Sequence, residues 1–571
     1  MSWLPVPLTR MRSSYRRVDM KTQIVLPEDI QTQTAVWQSH HAPIPIEPGQ
    51  ESLYAALIEE LGEIRPLTGP AYQRTIRKYT RKGLPWLGKS DVLRAYEQLC
   101  AAGRMTYDPD LVTHIQKKPV RSQAGVTVVT VLTKPYPCPG KCIFCPTDAR
   151  MPKSYLHDEP GAQRAERHGF DPYAQTAARI QALEQIGHPA EKIELLILGG
   201  TWSSYRRDYQ EWFVKRCLDA MNGEDSATLV EAQEKNAVGP RRNVGLVVET
   251  RQDEIDADEL RWLRYLGVTK VQVGIQSLDE RVLALNKRGH DVQATRDAFC
   301  LLRLAGFKIH GHWMANLLGA TPESDLADFG RLWSDTAVRP DELKIYPTML
   351  VPNAELYEYW QRGEYEPYDE ETLTELLADC LAQAPRYVRV NRVIRDFPTT
   401  NVVAGNKKAN LRQIATQRAE KRGQKLQDIR YREIRREKVT WDDLHLQVTT
   451  YETDATTEHF LSYETADERL AGFLRLSFPH ADAELPLPEL AGHAMIREVH
   501  VYGPALNLGE DSQGEAQHMG VGSKLIHKAK EMARQAGFAK IAVISAIGTR
   551  EYYARHHGFA VDGLYMTAVL R

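Results

Sequence analysis

Strand-like and helix-like stretches alternate through the middle of this chain. A run of β-branched residues, VTVVTVL, follows Gly125, and such a run is typical of a strand that is buried on both faces. Further strands are predicted at residues 193–198, 244–249, 270–275, 308–314 and 342–346. Helices are predicted at residues 173–187, 256–266, 291–305 and 323–336. This alternation predicts a parallel sheet, as a full or partial β/α barrel, with its chemistry at the carboxyl ends of the strands.

The regions on either side of this core have different patterns. Helical spacing at 51–62 and 91–103 flanks the basic, aromatic stretch RTIRKYTRKGLPWLGK, which predicts a small basic helical region. The segment 1–49 lacks the apolar stretch of a signal peptide, and we expect a disordered tail there rather than a transit peptide.

The last part of the chain predicts a separate α+β domain. Strand-like runs follow Trp441, and then come a glycine turn, a helix over about 521–536, the strand KIAVIS and a final hairpin. Before it, residues 386–438 hold sixteen Lys or Arg and five Asp or Glu, a net charge of 16 − 5 = +11. The expected domains are a tail, a helical region, a barrel, a basic linker and an α+β domain, at residues 1–49, 50–116, 117–385, 386–440 and 441–571.

Composition narrows the class of protein. The chain has 571 residues, a net charge of −2 and a mean hydropathy of −0.45, without an apolar run near the roughly 20 residues that a membrane helix needs. Three of its seven cysteines lie within eight residues, so a disulfide framework is not expected. We therefore expect no membrane attachment and a reducing, cytoplasmic compartment.

Cys138, Cys142 and Cys145 in CPGKCIFC carry the most specific chemical signal. The spacing C-x3-C-x2-C supplies three thiolates to a [4Fe–4S] cluster and leaves the fourth iron open for S-adenosylmethionine (SAM), whose reductive cleavage gives a 5′-deoxyadenosyl radical. The alternative is a zinc site with His157 as fourth ligand, but zinc usually takes four ligands and no further cysteine follows nearby.

Polar residues and glycines at the carboxyl ends of the predicted strands are the candidates for SAM binding. Glycines allow a close approach of the backbone to a ligand, and polar side chains there point toward a barrel's active site. His310 and His312 could have a role in the site, but they could as easily be core histidines whose hydrogen bonds are satisfied. The SAM candidates are Gly199, Gly200, Thr201, Glu249 and Gln276.

A glycine turn and two tyrosines mark a second candidate site near the C-terminus. The turn Q-x-x-G-x-G, from Gln517 to Gly522, opens an amphipathic helix and offers backbone N–H groups to a pyrophosphate. With the flanking strands and Tyr552 and Tyr553, this order resembles the acetyl-CoA-binding fold of GNAT acyltransferases, in which a tyrosine near the thioester acts as an acid or hydrogen-bond donor.

The pairing of both motifs, together with GHPAEKIELLILGGT, VGIQS, LKIYPT, RVIRDFP, DIRYREI, REVHVYG and GTREYYARHHGF, resembles the catalytic subunit family of Elongator, the tRNA uridine(34) acetyltransferases. The resemblance runs from about residue 117 to the C-terminus. It implies that acetyl-CoA supplies an acetyl group, that the deoxyadenosyl radical abstracts a hydrogen from its methyl group, and that the resulting carbon radical adds to C5 of the wobble uridine. Hydrolysis then leaves 5-carboxymethyluridine. An electron donor is also implied.

The resemblance further assigns residues to the acetyl-CoA site, with Tyr553 at the thioester. The chain also departs from the family: Gln427 replaces a linker cysteine, and only Cys380 lies nearby, so no zinc is expected; Asn316 replaces an acidic residue. The acetyl-CoA candidates are Lys192, Glu498, Val499, His500, Val501, Gln517, Gly520, Val521, Gly522, Ser523 and Tyr553.

The two basic segments are the candidates for binding tRNA, with Tyr79 and Trp86 expected to stack on unpaired bases. Two other hypotheses are a protein lysine acetyltransferase with a structural cluster and a non-enzymatic tRNA-binding scaffold. A monomer or a homodimer is expected. The candidate tRNA contacts are Arg74, Arg77, Lys78, Arg81, Lys82, Lys407 and Lys408.

Overall fold

A computed structural model describes residues 46–47, 49–116, 125–395, 397–435, 439–502 and 520–570. The expected tail, apart from 46–47 and 49, and Gln517 of the glycine turn lie outside these residues. Among the described helices, none has both the length and the apolar character that crossing a bilayer requires.

Four helices form the N-terminal region around an apolar core of their own. Tyr54, Leu57, Leu93 and Tyr96 belong to this core and are at most 1% exposed. The helices are α1 (Glu51–Glu63), α2 (Gly69–Thr80), α3 (Lys89–Ala101) and α4 (Pro109–Ile115).

Seven parallel strands form the central sheet in sequential order, β1 to β7, which confirms the predicted partial barrel. The strands are β1 (Thr127–Leu132), β2 (Lys192–Leu198), β3 (Arg242–Thr250), β4 (Lys270–Gln276), β5 (Lys308–Trp313), β6 (Glu342–Ile345) and β7 (Arg389–Arg392). The helices of this region are α5 (Pro160–Arg167), α6 (Pro172–Glu184), α7 (Arg207–Asn222), α8 (Leu229–Val238), α9 (Ala257–Leu266), α10 (Glu280–Leu285), α11 (Val292–Leu304), α12 (Pro322–Ser334), α13 (Leu356–Gln361) and α14 (Glu370–Gln383).

The segment expected as a basic linker holds regular structure. Strand β7 lies within it and pairs with β6, and helices α15 (Leu411–Lys421) and α16 (Ile429–Arg432) follow. The strand sequence RVNR has four residues and only one apolar side chain, so it carries no hydrophobic period from which a strand is predicted. Arg418 and Arg422 of the α15 segment form ion pairs with Glu375 of α14, which fastens this segment to the barrel.

The C-terminal domain is a second seven-stranded sheet in the order β13-β14-β12-β11-β10-β9-β8. Strands β11 and β12 are parallel and pair from His493 to Ile496, after which β11 continues alone toward Val501 along β10. The elements are β8 (His445–Glu452), β9 (Thr456–Glu464), β10 (Leu470–Pro479), β11 (His493–Val501), α17 (Val521–Gln535), β12 (Lys540–Val543), α18 (Arg550–His557), β13 (Ala560–Asp562) and β14 (Tyr565–Val569).

A buried ionic network joins the barrel to the C-terminal domain. The fully buried guanidinium of Arg497 in β11 donates from Nη2 and Nη1 to the two carboxylate oxygens of Asp341, at 2.6 and 2.8 Å. The same guanidinium donates to Glu458 at 2.9 and 3.1 Å. Nearby, Arg264 of α9 donates to the carbonyl oxygen of Leu564 at 2.8 Å. The two sheets are therefore held together by specific polar contacts as well as apolar packing.

Candidate functional site

The three candidate cluster ligands lie in the loop that follows β1. The loop is anchored at Ile143, whose N–H donates to the carbonyl of Asn286 at 3.2 Å and whose carbonyl accepts from Leu356 at 2.8 Å. The sulfur of Cys138 lies 3.4 Å from the hydroxyl of Thr201, which lies in the loop after β2. Burial, together with the neighbouring Cys142, raises the pKa of the Cys145 thiol to about 12. Two strand-end loops thus meet at the cysteines.

The donor set suits an iron–sulfur cluster. Three free thiols lie on one short loop, with the guanidinium groups of Arg251 and Arg288 beside it, and positive charge favours thiolates and an anionic cluster. Among the described residues, no three or more His, Cys, Asp or Glu side chains converge closely enough to hold a metal ion as they stand. His157, the candidate fourth zinc ligand, is directed to Asp148 at 3.1 Å.

Gly199 and Gly200 follow β2 in backbone conformations that favour glycine, with φ of +151° and +84°. A Cβ at Gly199 would collide with the side chain of Thr133, and one at Gly200 would lie 3.2 Å from the carbonyl oxygen of Lys153. These glycines therefore allow the β2 end to pack closely beside the loop that follows β1.

Glu249 and Gln276 lie at the ends of the next two strands. Glu249 accepts a hydrogen bond from the hydroxyl of Tyr155 at 3.1 Å. Gln276 has a left-handed backbone, φ +66°, and its buried Oε1 has no hydrogen-bond partner among the described residues. Both residues line the same cavity as Cys145, so the structure brings these SAM candidates to the cysteine-loop end of the barrel.

A second group of candidate residues lies where α17 begins. Gly520 caps the helix in the left-handed region, φ +74°, and a Cβ at Gly522 would lie 3.5 Å from the hydroxyl of Tyr552. That hydroxyl is 3.3 Å from Oγ of Ser523. Tyr553 is buried, and its burial raises the pKa of its phenol above the ordinary value. The neutral phenol is the form able to donate a hydrogen bond.

Strand β11 lines this second site where it parts from β12. Burial lowers the pKa of His500 to about 4, so its imidazole is neutral near pH 7. Glu498 forms ion pairs with Lys308 and Arg475, which leaves its carboxylate engaged in the protein. Val499 and Val501 line the cavity, and Val521 is buried behind the turn; Lys192 lines the cavity from the barrel side.

One cavity of about 1980 Å³ extends from the cysteine loop through the barrel to the second site. Phe144 and Cys145 line one end, whereas Ser523 and Tyr553 line the other. The barrel strands supply the wall between them. The two candidate sites are therefore connected through the interior of the molecule.

The interior wall is charged, which the hydrophobic pattern does not predict. Lys270 pairs with Glu194 at 2.7 Å and with Glu342 at 3.3 Å, and Lys308 pairs with Glu342 at 3.3 Å. Further along, Gln272 accepts from Lys344 at 2.5 Å and contacts His312 at 2.9 Å. His310 is 3.2 Å from Glu342. Charged residues inside strand-like runs are the sequence signal for this lining.

The candidate tRNA contacts of the helical region share an exposed surface, with α2 and the turn after it contributing Arg74, Arg77, Lys78, Arg81 and Lys82. Trp86 is 58% exposed, as stacking on a base requires. Tyr79 is only 4% exposed and donates to Glu60 at 3.0 Å, so the expectation that it stacks on a base was wrong. Tyr79 is spaced from the neighbouring basic residues as a buried position on the core face of an amphipathic helix is.

Much of the second basic segment is neutralised by acidic side chains. Lys407 and Lys408 are exposed, and Lys408 pairs with Glu370. Arg412 pairs with Asp428 at 3.1 Å, and seven further Lys or Arg of this segment, at positions 386, 389, 395, 418, 422, 425 and 432, have carboxylate partners. Charge counting alone therefore overstates the basic surface of this segment.

At the two departures from the family, the structure shows a side-chain contact for Asn316 and a backbone contact for Gln427. Asn316 has a left-handed φ of +60°, which asparagine tolerates, and its Oδ1 accepts from the N–H of Tyr368 at 2.7 Å. The backbone carbonyl of Gln427 accepts from Nε of Arg432 at 2.9 Å, a contact that does not involve the glutamine side chain. Cys380 is fully buried within α14.

Comparisons with known proteins agree with this architecture. Family models match for the Radical SAM superfamily at residues 136–329, the Radical_SAM C-terminal domain at 340–421 and the Acetyltransferase (GNAT) family at 426–559. The second of these matches includes β7 and α15, which agrees with their packing on the barrel.

Relatives match over most of the chain. A tRNA uridine(34) acetyltransferase of Dehalococcoides mccartyi is 42% identical over 79% of this chain and 99% of its own length. The human Elongator complex protein 3 is 35% identical over 83% of this chain and 89% of its own length. The solved structure of Methanocaldococcus infernus Elp3 lacking residues 1–46 matches with 37% identity and a TM-score of 0.69, over 78% of this chain and 100% of that one. The chain therefore belongs to the family of tRNA uridine(34) acetyltransferases and Elongator complex protein 3, acyltransferases of the radical SAM class.

Proposed function

We propose that this enzyme uses acetyl-CoA and a SAM-derived radical to install a carboxymethyl group at C5 of the wobble uridine, U34, of tRNA. The observation that carries this proposal is the single cavity lined by both the cysteine loop and the glycine turn of α17. A protein lysine acetyltransferase needs no passage from its thioester site into a barrel, whereas a reaction that joins both chemistries does.

Each end of the cavity has groups suited to one cofactor. Cys138, Cys142 and Cys145 would hold the [4Fe–4S] cluster, and the backbone at Gly199 and Gly200 would receive the methionine end of SAM. When bound, the cluster and SAM would supply a 5′-deoxyadenosyl radical that abstracts hydrogen from a methyl group. The strand-end side chains Glu249 and Gln276 would orient the cofactor.

At the other end, the chain's own groups suit a thioester. The N–H groups at Gly522 and Ser523, at the first turn of α17, favour a phosphate. The buried phenol of Tyr553 would donate its proton toward the thioester sulfur. The interior Lys270, Lys308 and Lys344 would favour the carbonyl oxygen of an acyl group that enters the barrel.

The test is anaerobic reconstitution of the full chain with iron, sulfide, SAM, a low-potential reductant, tRNA and acetyl-CoA whose methyl group is deuterated. We expect 5-carboxymethyluridine in the nucleoside digest and deuterium in the 5′-deoxyadenosine, because the abstracted atom comes from the acetyl methyl group. Mass spectrometry measures both products.

Matched variants separate the alternatives. Cys142→Ala removes both products, whereas Cys300→Ala, a half-buried cysteine of α11 outside the cluster loop, retains them. Absence of both products from the intact, cluster-loaded chain would refute the proposal. Acetyl transfer to protein lysines that persists in the Cys142→Ala variant, without modified uridine, would instead identify the lysine acetyltransferase.

A further inference from the structure

Two buried arginines approach the cysteine loop from other parts of the barrel. Arg251 follows β3 and Arg288 follows α10, and they are 5% and 6% exposed. Neither belongs to the loop that holds the cysteines. Both lie where the field of a guanidinium acts on the sulfurs with little screening by water.

Arg288 is fixed with one nitrogen toward a cluster cysteine. Its Nη1 donates to the sulfur of Cys142 at 3.5 Å. Its Nη2 donates to the carbonyl of Gly274 at 2.7 Å and to Oε1 of Gln252 at 3.3 Å. These partners are neutral, so the positive charge beside Cys142 is not cancelled by them.

Arg251 is held in a similar way but carries a counter-charge. Its Nε and Nη2 donate to Asp253 at 2.8 and 2.7 Å, and Nη2 also donates to the carbonyl of Arg288 at 3.2 Å. Its buried Nη1 has no hydrogen-bond partner among the described residues. A Cβ at Gly140 would touch this Nη1 and would lie 3.5 Å from the sulfur of Cys138. The free donor therefore faces the Cys138 side of the loop.

We propose that Arg251 and Arg288 tune the cluster, by donating hydrogen bonds to its sulfur ligands and thereby raising its reduction potential. The inference rests on the proposed function only in placing a [4Fe–4S] cluster on these cysteines. The step is a one-electron transfer from a low-potential reductant such as dithionite, which takes the cluster from the 2+ to the 1+ state without breaking a bond. Hydrogen bonds to sulfur and nearby positive charge stabilise the added electron.

The experiment measures the midpoint potential of the reconstituted cluster by EPR-monitored titration, without SAM, acetyl-CoA or tRNA. For Arg288→Gln we expect the equilibrium constant for reduction to fall about tenfold, which is about 59 mV for a one-electron couple. Arg251→Gln should lower it less, because Asp253 already offsets part of that charge. Arg288→Lys, which keeps the charge and loses the planar fork, should give a smaller fall than Arg288→Gln.

The control variant is Arg150→Gln, which removes a guanidinium that is 57% exposed and paired with Asp148 near the cysteine loop. Because water and salt screen this charge, the equilibrium constant for reduction of its cluster should stay within about twofold of the parent value. Iron and sulfide analysis establishes that each cluster is complete. If Arg288→Gln fails to assemble one, the Arg288→Lys shift decides. Unchanged or raised potentials in the Arg288 variants overturn the proposal. Lowered potentials support the proposal even if the enzyme does not modify tRNA, so this experiment distinguishes failure of the cluster proposal from failure of the proposed function.

Discussion

Replacement of Arg497 by methionine tests the junction between the barrel and the acetyltransferase domain. The change keeps an unbranched apolar stem but removes a guanidinium that makes four hydrogen bonds to Asp341 and Glu458. Both carboxylates are at most 1% exposed, and removal of one partner from a buried ionic network typically costs about 3–5 kcal/mol. Because Arg475 remains 3.5 Å from Asp341, we expect the free energy of unfolding to fall by an amount near the lower end of this range, about 3 kcal/mol.

The assay is urea unfolding of the full chain, followed by tryptophan fluorescence and by circular dichroism, with linear extrapolation to water. Arg261→Met is the control, because Arg261 also bridges the two domains, to Glu489 at 3.0 Å, but is 49% exposed. We expect it to cost less than about 1 kcal/mol. If Arg497→Met costs no more than this control, the buried network does not fasten the domains and the reasoning is refuted.

Three further predictions concern the SAM site, an internal acid and the tRNA surface. Gly199→Ala should weaken SAM binding to the cluster-loaded chain at least about tenfold by calorimetry, because its Cβ would displace Thr133 and its φ is unfavourable for alanine; unchanged affinity would contradict this placement. Burial raises the pKa of Asp325 to about 7, so the folded state holds a proton that the unfolded state loses, and stability falls as pH rises from about 4 to about 7. Asp325→Asn should flatten this fall in urea midpoints measured at about pH 5 and pH 7.5; an unaltered slope would refute the assignment. Arg77→Gln should reduce the slope of log affinity for tRNA against log salt by about 0.7 to 0.9, measured by filter binding, and an unchanged slope would remove Arg77 from the interface.

The barrel was predictable because most of its longer strands are rich in apolar and β-branched residues and lie between segments of helical period. The predicted segments 193–198 and 270–275 correspond to Lys192–Leu198 and Lys270–Gln276. The cysteine loop and the glycine turn were also predictable from the sequence, since both are local motifs whose residues act within one loop. Their meeting on one cavity was not, because it depends on how two domains pack.

Other features depend on contacts between residues distant in sequence. The ion pairs that neutralise Arg418 and Arg422 come from the preceding helix, so the charge count of their segment gave no sign of them. The donor from Arg288 to Cys142 spans 146 positions. Tyr79 lies among basic residues but occupies a core position of its helix. In each case the residue type was visible and its partner was not.

The charged interior is difficult to explain by stability alone. Barrel interiors are usually filled by layers of Val, Ile and Leu, and a buried ion pair often stabilises a fold no better than apolar residues of similar volume. Here Lys270 and Lys308 share Glu342 within an interior that also keeps a large cavity. Such a lining sacrifices close packing and incurs desolvation costs. Both costs are understandable if the interior carries a polar acyl group between the two sites, and this passage is what the proposed reaction requires.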